Sequence, residues 1–522
     1  MPGGSLLYGA SVLTLTGLTT QLIGFIYRIL LSRAVGAEAM GIYHLVISAY
    51  SVMLSVCLSG LTTASLRLSA GMYALGRKAR CARLIKKLLS IFFLLSAGCA
   101  VMVFGFSGFI SENILNDSRT RLGLVLLIPV MLLTGVENVF KTHFLGIGRV
   151  IPGALSDVGE IAVRMMAVFA VLTLAKPDNI AVTVACIVIG MGVSEVFSSS
   201  VLFMTYRKTA VRAEEVRGQK DPLNKQIFRT AVPVALTNFA SNLLSSANSV
   251  MIPARMALTG MAKSDAVALL GTMFGMSLPM ITFPMAFIDG LAGAIVPSLS
   301  EGMAKGDIGA VRRKISKAFL GVSLFAIPSA ALMIPVGPDI ARLLFGSEAA
   351  GNYMTPLCFC VSVLELRSIS SIILTSIGRE SRAALHFITG GAVQTAFTWF
   401  GTTIPGVGVY AIIAGLAASG LVTLILNINC IVSTTGLRVR FVSWFVCPCV
   451  AALPAELLAA FIYADVSGTL SLPFAVLVSV LPAIALYILL IRAMGIKHTE
   501  LFFLRKEEGM KKRLAINNGP KP

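Results

Sequence analysis

Three charged residues interrupt an otherwise apolar segment, "GALSDVGEIAVRMMAV", which runs from Gly153 to Val168. Asp157, Glu160 and Arg164 follow one another at spacings of three and four residues, which places all three on one face of a helix. Glu160 precedes Arg164 by one turn, the favourable order for a helical ion pair. Because Asp157 leaves this stripe with excess negative charge, we expect it to meet a cation from another helix or to bind a cation or proton. The pattern favours a role in coupling or gating for Asp157 and Glu160.

Further acids lie in other apolar segments. Glu137 and Lys141 are also four residues apart in the favourable order, and a pair that merely helps helices pack is as good an interpretation as a functional one. Glu195 in "GMGVSEVFSSS" and Asp289 in "MAFIDGLAG" have no cation nearby in sequence. A charged side chain in lipid costs about 2.5–3.5 kcal/mol on insertion scales, so such residues usually face a bundle interior or a hydrated cavity. We therefore add Glu195 and Asp289 to the candidates for coupling or gating.

Arg28, in "GFIYRILLSRAVG", is a cation with no acid within four residues. It needs an acid on another helix, a lipid phosphate or a bound substrate as its counter-ion, or it reaches the membrane surface with its long side chain. A guanidinium carries a permanent charge and a fixed fork of donors, which suits phosphate oxygens. We predict that Arg28 contacts a phosphate group.

The elements that must position these residues are apolar helices. The chain has 522 residues, of which 56% are hydrophobic and 13% charged, whereas soluble domains carry about 25% charged residues. Apolar segments of about 20 residues are long enough to cross about 30 Å of hydrocarbon. The sequence predicts an all-α integral membrane protein with fourteen spans, near residues 5–30, 40–64, 88–110, 121–146, 154–175, 180–205, 228–253, 267–296, 318–337, 354–377, 383–403, 407–432, 444–464 and 471–492.

The basic residues indicate the orientation of these spans. With the N-terminus in the cytoplasm, 32 of the 43 Lys and Arg residues fall in cytoplasmic segments and seven in outer loops. The positive-inside rule then places both termini in the cytoplasm, with the cell membrane as the location. The net charge of +19 therefore indicates orientation and contact with anionic membrane lipids rather than binding to nucleic acid.

The polar break "YRKTAVRAEEVRGQKDPLNKQ" separates the first six predicted spans from the rest. We predict an N-terminal helical bundle at 1–205, a cytoplasmic linker at 206–226, a second bundle at 227–432, two additional spans at 433–493 and a basic cytoplasmic tail at 494–522. No segment is long enough for a separate soluble domain, and no phosphate-binding loop of the G-x-x-x-x-G-K-[ST] type occurs. The four His residues make no metal-ligand spacing. We predict no enzymatic activity, no metal and no cofactor.

Four stretches together resemble a known family of transporters. They are "GFIYRILLSRAVGAEAMGIYHL", "FLGIGRVIPGALSDVGEIAVRMM", "NSVMIPARMALTG" and "FPMAFIDGLAGAIVPSLSEGMAKGD". In these stretches the chain resembles the oligosaccharidyl-lipid and polysaccharide flippases of the multidrug/oligosaccharidyl-lipid/polysaccharide exporter superfamily, and within them a sporulation type.

The resemblance implies two helical bundles around a central cavity, with transport by alternating access. It implies an undecaprenyl-diphosphate-linked saccharide as substrate, a peptidoglycan or polysaccharide precursor, with cell-wall synthesis proteins as further candidate partners. Arg28 carries over as a cavity arginine that meets the diphosphate. Glu160 and Arg164 carry over as the matching pair of the fifth span, and we assign Arg164 to substrate binding together with Arg28.

Two alternative functions stay open at this point. A cation-coupled multidrug antiporter of the same superfamily would need acids to dominate its substrate pocket, and binding of organic cations that depends on Asp289 or Glu195 would favour it. A membrane scaffold for cell-wall assembly would not depend on any charge within the membrane. The substrate is also open, because "FGMSLPMITFP" lacks the arginine that related flippases carry near the eighth span.

Overall fold

A computed structural model describes residues 3–209, 223–285, 295–296, 298–404 and 406–496. Helices are the only regular secondary structure in these ranges, which confirms the predicted fold class. They are α1 (Gly3–Cys57), α2 (Ser59–Ala74), α3 (Lys78–Phe109), α4 (Thr120–Gly146), α5 (Val150–Ala175), α6 (Ile180–Thr209), α7 (Leu223–Leu258), α8 (Lys263–Leu270), α9 (Leu278–Thr282), α10 (Ile308–Phe345), α11 (Glu348–Asn352), α12 (Met354–Ser376), α13 (Glu380–Ala396), α14 (Gly408–Thr435), α15 (Cys447–Val466) and α16 (Leu472–Ala493). A π-helical turn, Gly271–Ser277, joins α8 to α9.

Eleven helices within the described ranges are long and apolar enough to cross a membrane, so the chain is a multi-pass membrane protein. The first of them contains a break at Gly36, which separates the first two predicted spans. Neither the polar α7 nor the 17-residue α13 reaches that threshold. The number of fourteen spans and the cytoplasmic termini therefore stay predictions. The centre of the predicted linker and most of the predicted tail lie outside the described residues.

Gly36 has a φ of +80° and a ψ of 173°, a combination that is essentially confined to glycine. The two helical segments of α1 therefore meet at a sharp change of direction. Just beyond it, the second segment packs directly on the π-helical turn. A Cβ atom on Gly41 would lie 2.0 Å from the carbonyl oxygen of Val267, and one on Gly271 would lie 2.0 Å from that of Ala37. Only glycines allow backbones to approach this closely.

The buried apolar residues form two main clusters, one built mostly from the first half of the chain and the other mostly from the second, with α1 contributing to both. The N-terminal cluster centres on large side chains of α3 and α4, including Phe92, Phe140 and Phe144, all 2% exposed or less. The C-terminal cluster includes Phe319 of α10 and Trp444, whose rings stack with their centroids 4.9 Å apart. We call the helices around these clusters the N-terminal bundle (α1–α6) and the C-terminal bundle (α7–α16).

The last two helices belong to the C-terminal bundle, because both contact α10. The Tyr463 hydroxyl of α15 donates a hydrogen bond to Asp339 Oδ2 at 2.7 Å. The Tyr487 hydroxyl of α16 donates one to the carbonyl oxygen of Leu324 at 3.1 Å. Near its start, α10 is capped by Asp307, whose side chain accepts a hydrogen bond from the backbone N–H of Ala310 at 2.9 Å. The predicted additional spans thus pack as an extension of the second bundle.

Candidate functional site

A cavity of about 640 Å³ lies between the two bundles, and we call it the central cavity. Its wall is formed by α1, by α5, by the π-helical turn with α9, and by α12. The lining residues include Gln21, Tyr27, Arg28, Tyr43, His44, Ile161, Arg164, Phe274, Thr282, Glu365 and Ser368. A volume of this size falls within the range of sites for small molecules. Its lining combines aromatic rings with hydroxyl, amide and charged groups.

Arg28 is exposed to the central cavity, although it lies within a membrane-spanning helix. Among the residues that the structure describes, no carboxylate forms an ion pair with it. Its neighbour Tyr27, which also lines the cavity, is 8% exposed, and its hydroxyl is buried without a hydrogen-bond partner among the described residues. The guanidinium of Arg28 can therefore bind an anionic ligand in the cavity.

The charged stripe of α5 joins a network that spans three helices. Lys141 of α4 forms ion pairs with Asp157 and, at 3.6 Å, with Glu137. Arg164 forms ion pairs with Glu160 of its own helix and, at 3.4 Å, with Glu195 of α6. Arg164 Nε also donates a hydrogen bond to Ser194 Oγ at 3.2 Å. Four acids thus share two cations within the N-terminal bundle.

Three of these acids converge. Carboxylate oxygens of Glu137, Glu160 and Glu195 all lie within 4.8 Å of one another. The side chains of Glu137 and Glu195 are only 2% and 3% exposed. One oxygen of each, Oε1 of Glu137 and Oε2 of Glu195, is buried and has no hydrogen-bond partner within the described ranges. Because buried like charges repel and desolvation penalises them, such a group can take up a proton or a cation.

The predicted pairs within helices are confirmed, since Glu160 contacts Arg164 and Glu137 contacts Lys141. The expected cation from another helix is Lys141, which contacts Asp157. Glu195 has no cation near it in sequence, yet the packing of α6 on α5 brings Arg164 within 3.4 Å.

The three charged residues of α5 do not all face the central cavity, although their spacing places them on one face of the helix. Arg164 reaches the wall of the central cavity, whereas Glu160 and Asp157 contact partners in the interior of the N-terminal bundle. Asp289 lies outside the described residues. The functional roles assigned to Arg28, Arg164, Asp157, Glu160 and Glu195 stay predictions.

Two features of the site were not among the site residues predicted from the sequence. Glu137, interpreted there as half of an ion pair, lies in the middle of the carboxylate group. Tyr27, directly before Arg28, lines the cavity, and its buried hydroxyl has no hydrogen-bond partner in the described part of the chain. The sequence did contain a signal for Tyr27, because a tyrosine directly precedes an unpaired arginine in an apolar segment. No sequence signal indicated that α4 and α6 would bring Glu137 and Glu195 together.

Polar contacts join the two bundles near both ends of α12. Beside its start, Arg33 of α1 donates hydrogen bonds to the last carbonyl groups of α10, with 2.7 Å from Nε to the oxygen of Leu344. Just after its end, Arg67 of α2 pairs with Glu380 of α13 at 2.7 Å. A helix of 23 residues separates these contacts, which corresponds to about 35 Å. The central cavity lies between the two contacts.

The sequence is similar to a known protein family and to a curated relative. A family model described as "Polysaccharide biosynthesis protein" matches residues 6–303, which is more than half of the chain. A relative, stage V sporulation protein B of Bacillus subtilis (strain 168), is 24% identical over 428 residues, covering 80% of this chain and 82% of that protein.

Solved structures with the same fold are transporters. The inward-facing conformation of a multidrug resistance MATE family transporter of the MOP superfamily matches with a TM-score of 0.64 and 14% identity, over 82% of this chain and 99% of that chain. A MOP superfamily transporter from Pyrococcus furiosus Vc1 (DSM3638) matches with a TM-score of 0.62 and 14% identity, over 82% and 96% of the two chains. The fold is therefore that of MOP superfamily transporters.

Proposed function

We propose, from the premise that this chain belongs to the polysaccharide biosynthesis protein family, that it flips an undecaprenyl-diphosphate-linked saccharide across the cytoplasmic membrane. The observation that carries this proposal is Arg28, a permanent cation that faces the central cavity without an anionic partner among the described residues. The diphosphate of the lipid supplies the missing counter-ion. The name of the sporulation relative supports a precursor of the cell wall or spore cortex as the saccharide.

The physical task is to move a polar head group through about 30 Å of hydrocarbon. Oxygens of a diphosphate bind a guanidinium fork through parallel hydrogen bonds. The sugar hydroxyl groups meet the polar and aromatic lining of the cavity, while the polyprenyl tail stays in the bilayer. Opening one set of bundle contacts and closing the other then exposes the cavity to alternate sides of the membrane.

The carboxylate group gives this cycle a means of coupling. In the structure, Glu160 and Glu195 both form ion pairs with the guanidinium of Arg164. Arg164 also lines the central cavity. When a proton or a cation neutralises these acids, Arg164 is released and can turn its donors towards the diphosphate beside Arg28. Glu160 and Glu195 thereby act in coupling, while Asp157 holds Lys141 as the fixed counter-charge of the same network. The predicted role of Asp289 is retained as part of this proposal.

The test is transport of a fluorescent undecaprenyl-diphosphate saccharide in proteoliposomes. We expect Arg28→Gln to lower the rate of flipping at least tenfold, because it removes the charge but keeps a polar side chain of moderate size. Arg28→Lys retains the charge without the fork and should keep an intermediate rate. Arg342→Gln is the matched control, because Arg342 is exposed at the end of α10 and pairs with the partly exposed Asp339 of the same helix.

Three outcomes are informative. Loss of flipping in Arg28→Gln alone supports the proposal. Equal rates in the wild type and all variants leave a flippase whose phosphate site lies elsewhere. Absence of flipping in the wild type itself, together with uptake of organic cations that depends on the cavity acid Glu365, would favour the multidrug antiporter.

Coupling has its own test in the same vesicles. Glu160→Gln removes the acid that pairs with Arg164, so the rate of flipping should no longer respond to an imposed proton or sodium gradient. The control is Glu301→Gln, because the side chain of Glu301 is 62% exposed and pairs with a solvent-exposed Lys305. If flipping by Glu160→Gln responds to the gradient as the wild type does, the ion-pair network around Arg164 has no role in coupling.

A further inference from the structure

A second, much smaller cavity lies inside the C-terminal bundle. It has a volume of about 60 Å³ and is enclosed by α7, α12, α13 and α14. We call it the side pocket. Its polar lining consists of Ser245, Asn248, Ser249, Arg367, Gln394 and Ser419. Phe274 lines both the side pocket and the central cavity, so this ring forms part of the partition between them.

Arg367 is the only charged residue in the described lining of the side pocket. Its Nε atom is buried and has no hydrogen-bond partner among the residues that the structure describes, and the guanidinium lies 5.4 Å from the centroid of the Phe387 ring. No carboxylate in the described part of the chain forms an ion pair with it. Glu365, two residues earlier on the same helix, lines the central cavity and acts on Arg367 through its charge without forming an ion pair with it. A permanent charge held in a protein interior without a counter-ion is strongly unfavourable.

The remaining lining offers hydrogen-bond donors. The Oδ1 atom of Asn248 accepts a hydrogen bond from Thr395 Oγ1 at 2.9 Å, which leaves the amide NH₂ of Asn248 available to donate. Gln394 and Ser419 contribute another amide and a hydroxyl. A pocket that combines a guanidinium with neutral donors and lacks a carboxylate has the chemistry of an anion site.

The size of the pocket restricts the anion. A volume of about 60 Å³ is that of about two water molecules, which is enough for a chloride ion with one water molecule or for a single phosphate group. A saccharide or a polyprenyl diphosphate does not fit. The side pocket is therefore distinct from the volume in which a lipid-linked saccharide would be carried.

We propose that the side pocket binds a small inorganic anion, with Arg367 as its principal ligand and Asn248, Gln394 and Ser419 as additional donors. The anion supplies the direct ion-pair partner that Arg367 lacks among the described residues and holds α7, α12 and α13 together at this depth. It also lies close to the contact between the bundles, because Ser249 in the pocket wall lies 3.3 Å from the Nε2 atom of His44 in α1. The proposal does not depend on which molecule is transported.

The test measures thermal unfolding of the purified full-length protein in detergent. Chloride is titrated against gluconate at constant ionic strength, and inorganic phosphate is titrated in a separate series. A ligand that binds only the folded state raises the midpoint in a saturable way. We expect this for the wild type, and an apparent affinity at least tenfold weaker for Arg367→Gln. Arg342→Gln, the exposed arginine control, should respond as the wild type does.

The two series identify the source of the anion. A response to chloride assigns a halide, and a response to phosphate alone assigns a phosphate group; both support the proposal when Arg367→Gln abolishes them. If Arg367→Gln does not fold, Gln394→Leu carries the test, because it keeps the charge and removes one donor. Equal anion responses in the wild type and both variants would overturn the proposal. So would no response to either anion, or a response abolished by Arg28→Gln alone, which would place the anion in the central cavity.

Discussion

Replacing Glu195 with Gln removes one of the three carboxylates that crowd together between α4, α5 and α6. Carboxylate oxygens of Glu195, Glu137 and Glu160 lie within 4.8 Å of one another, so each neighbouring charge repels Glu195 by at least about 3.5 kcal/mol at an effective dielectric constant of about 20. Arg164, at 3.4 Å, attracts it by about 5 kcal/mol on the same basis. The two repulsions exceed the attraction by about 2 kcal/mol, before any cost of desolvation.

We therefore expect Glu195→Gln to raise the free energy of unfolding by about 2 kcal/mol, because the amide keeps the shape and removes the excess charge. The measurement is reversible unfolding in mixed micelles, followed by circular dichroism in buffer without added sodium. Glu301→Gln serves as the control, and this exposed position should change the free energy by less than about 0.5 kcal/mol. A loss of stability above about 1 kcal/mol in Glu195→Gln would refute the reasoning, because it would mean that Arg164 needs every acid around it.

Three further changes test the same framework. Arg164→Gln should lower the free energy of unfolding by about 3–5 kcal/mol, because it leaves buried acids without their cation; a change below about 1 kcal/mol in the micelle assay would contradict this. Gly271→Ala should lower the melting temperature, because the new Cβ would lie 2.0 Å from a backbone oxygen of α1, whereas Gly98→Ala, with nothing within 4 Å, should not. Arg67→Ala should change the free energy of unfolding by less than about 1 kcal/mol, because Arg67 and its partner Glu380 are 52% and 42% exposed. The same change should nevertheless widen the distance between spin labels on α2 and α13. An unchanged distance distribution would exclude a role for this ion pair in closing the bundles.

Contacts within one helix were predictable from the sequence, because the helical period alone determines them. The pairs of Glu160 with Arg164 and of Glu137 with Lys141 are of this kind. The same period places Glu365 and Arg367, two positions apart, on different sides of α12. In the structure, Glu365 accordingly lines the central cavity and Arg367 lines the side pocket.

Contacts between helices were not predictable in the same way. The approach of Lys141 to Asp157 depends on how α4 and α5 are rotated and shifted against each other, and the approach of Arg164 to Glu195 depends on α6. Gly190 of α6, where a Cβ atom would lie 2.5 Å from the side chain of Val168 in α5, contributes to this packing, yet its effect depends on the residue that it meets on the other helix. The need for a further cation near Asp157 was predictable from charge balance, whereas its identity required the packing.

We propose above that Arg28 in the central cavity recognises the diphosphate of a lipid carrier. Native mass spectrometry of the purified protein, with undecaprenyl diphosphate and uncharged undecaprenol in competition, tests it most directly. Our account predicts that the wild type prefers the diphosphate lipid at least tenfold and that Arg28→Gln loses this preference, while Arg342→Gln retains it. Equal binding of the two lipids by the wild type, or an unchanged preference in Arg28→Gln, would contradict the account.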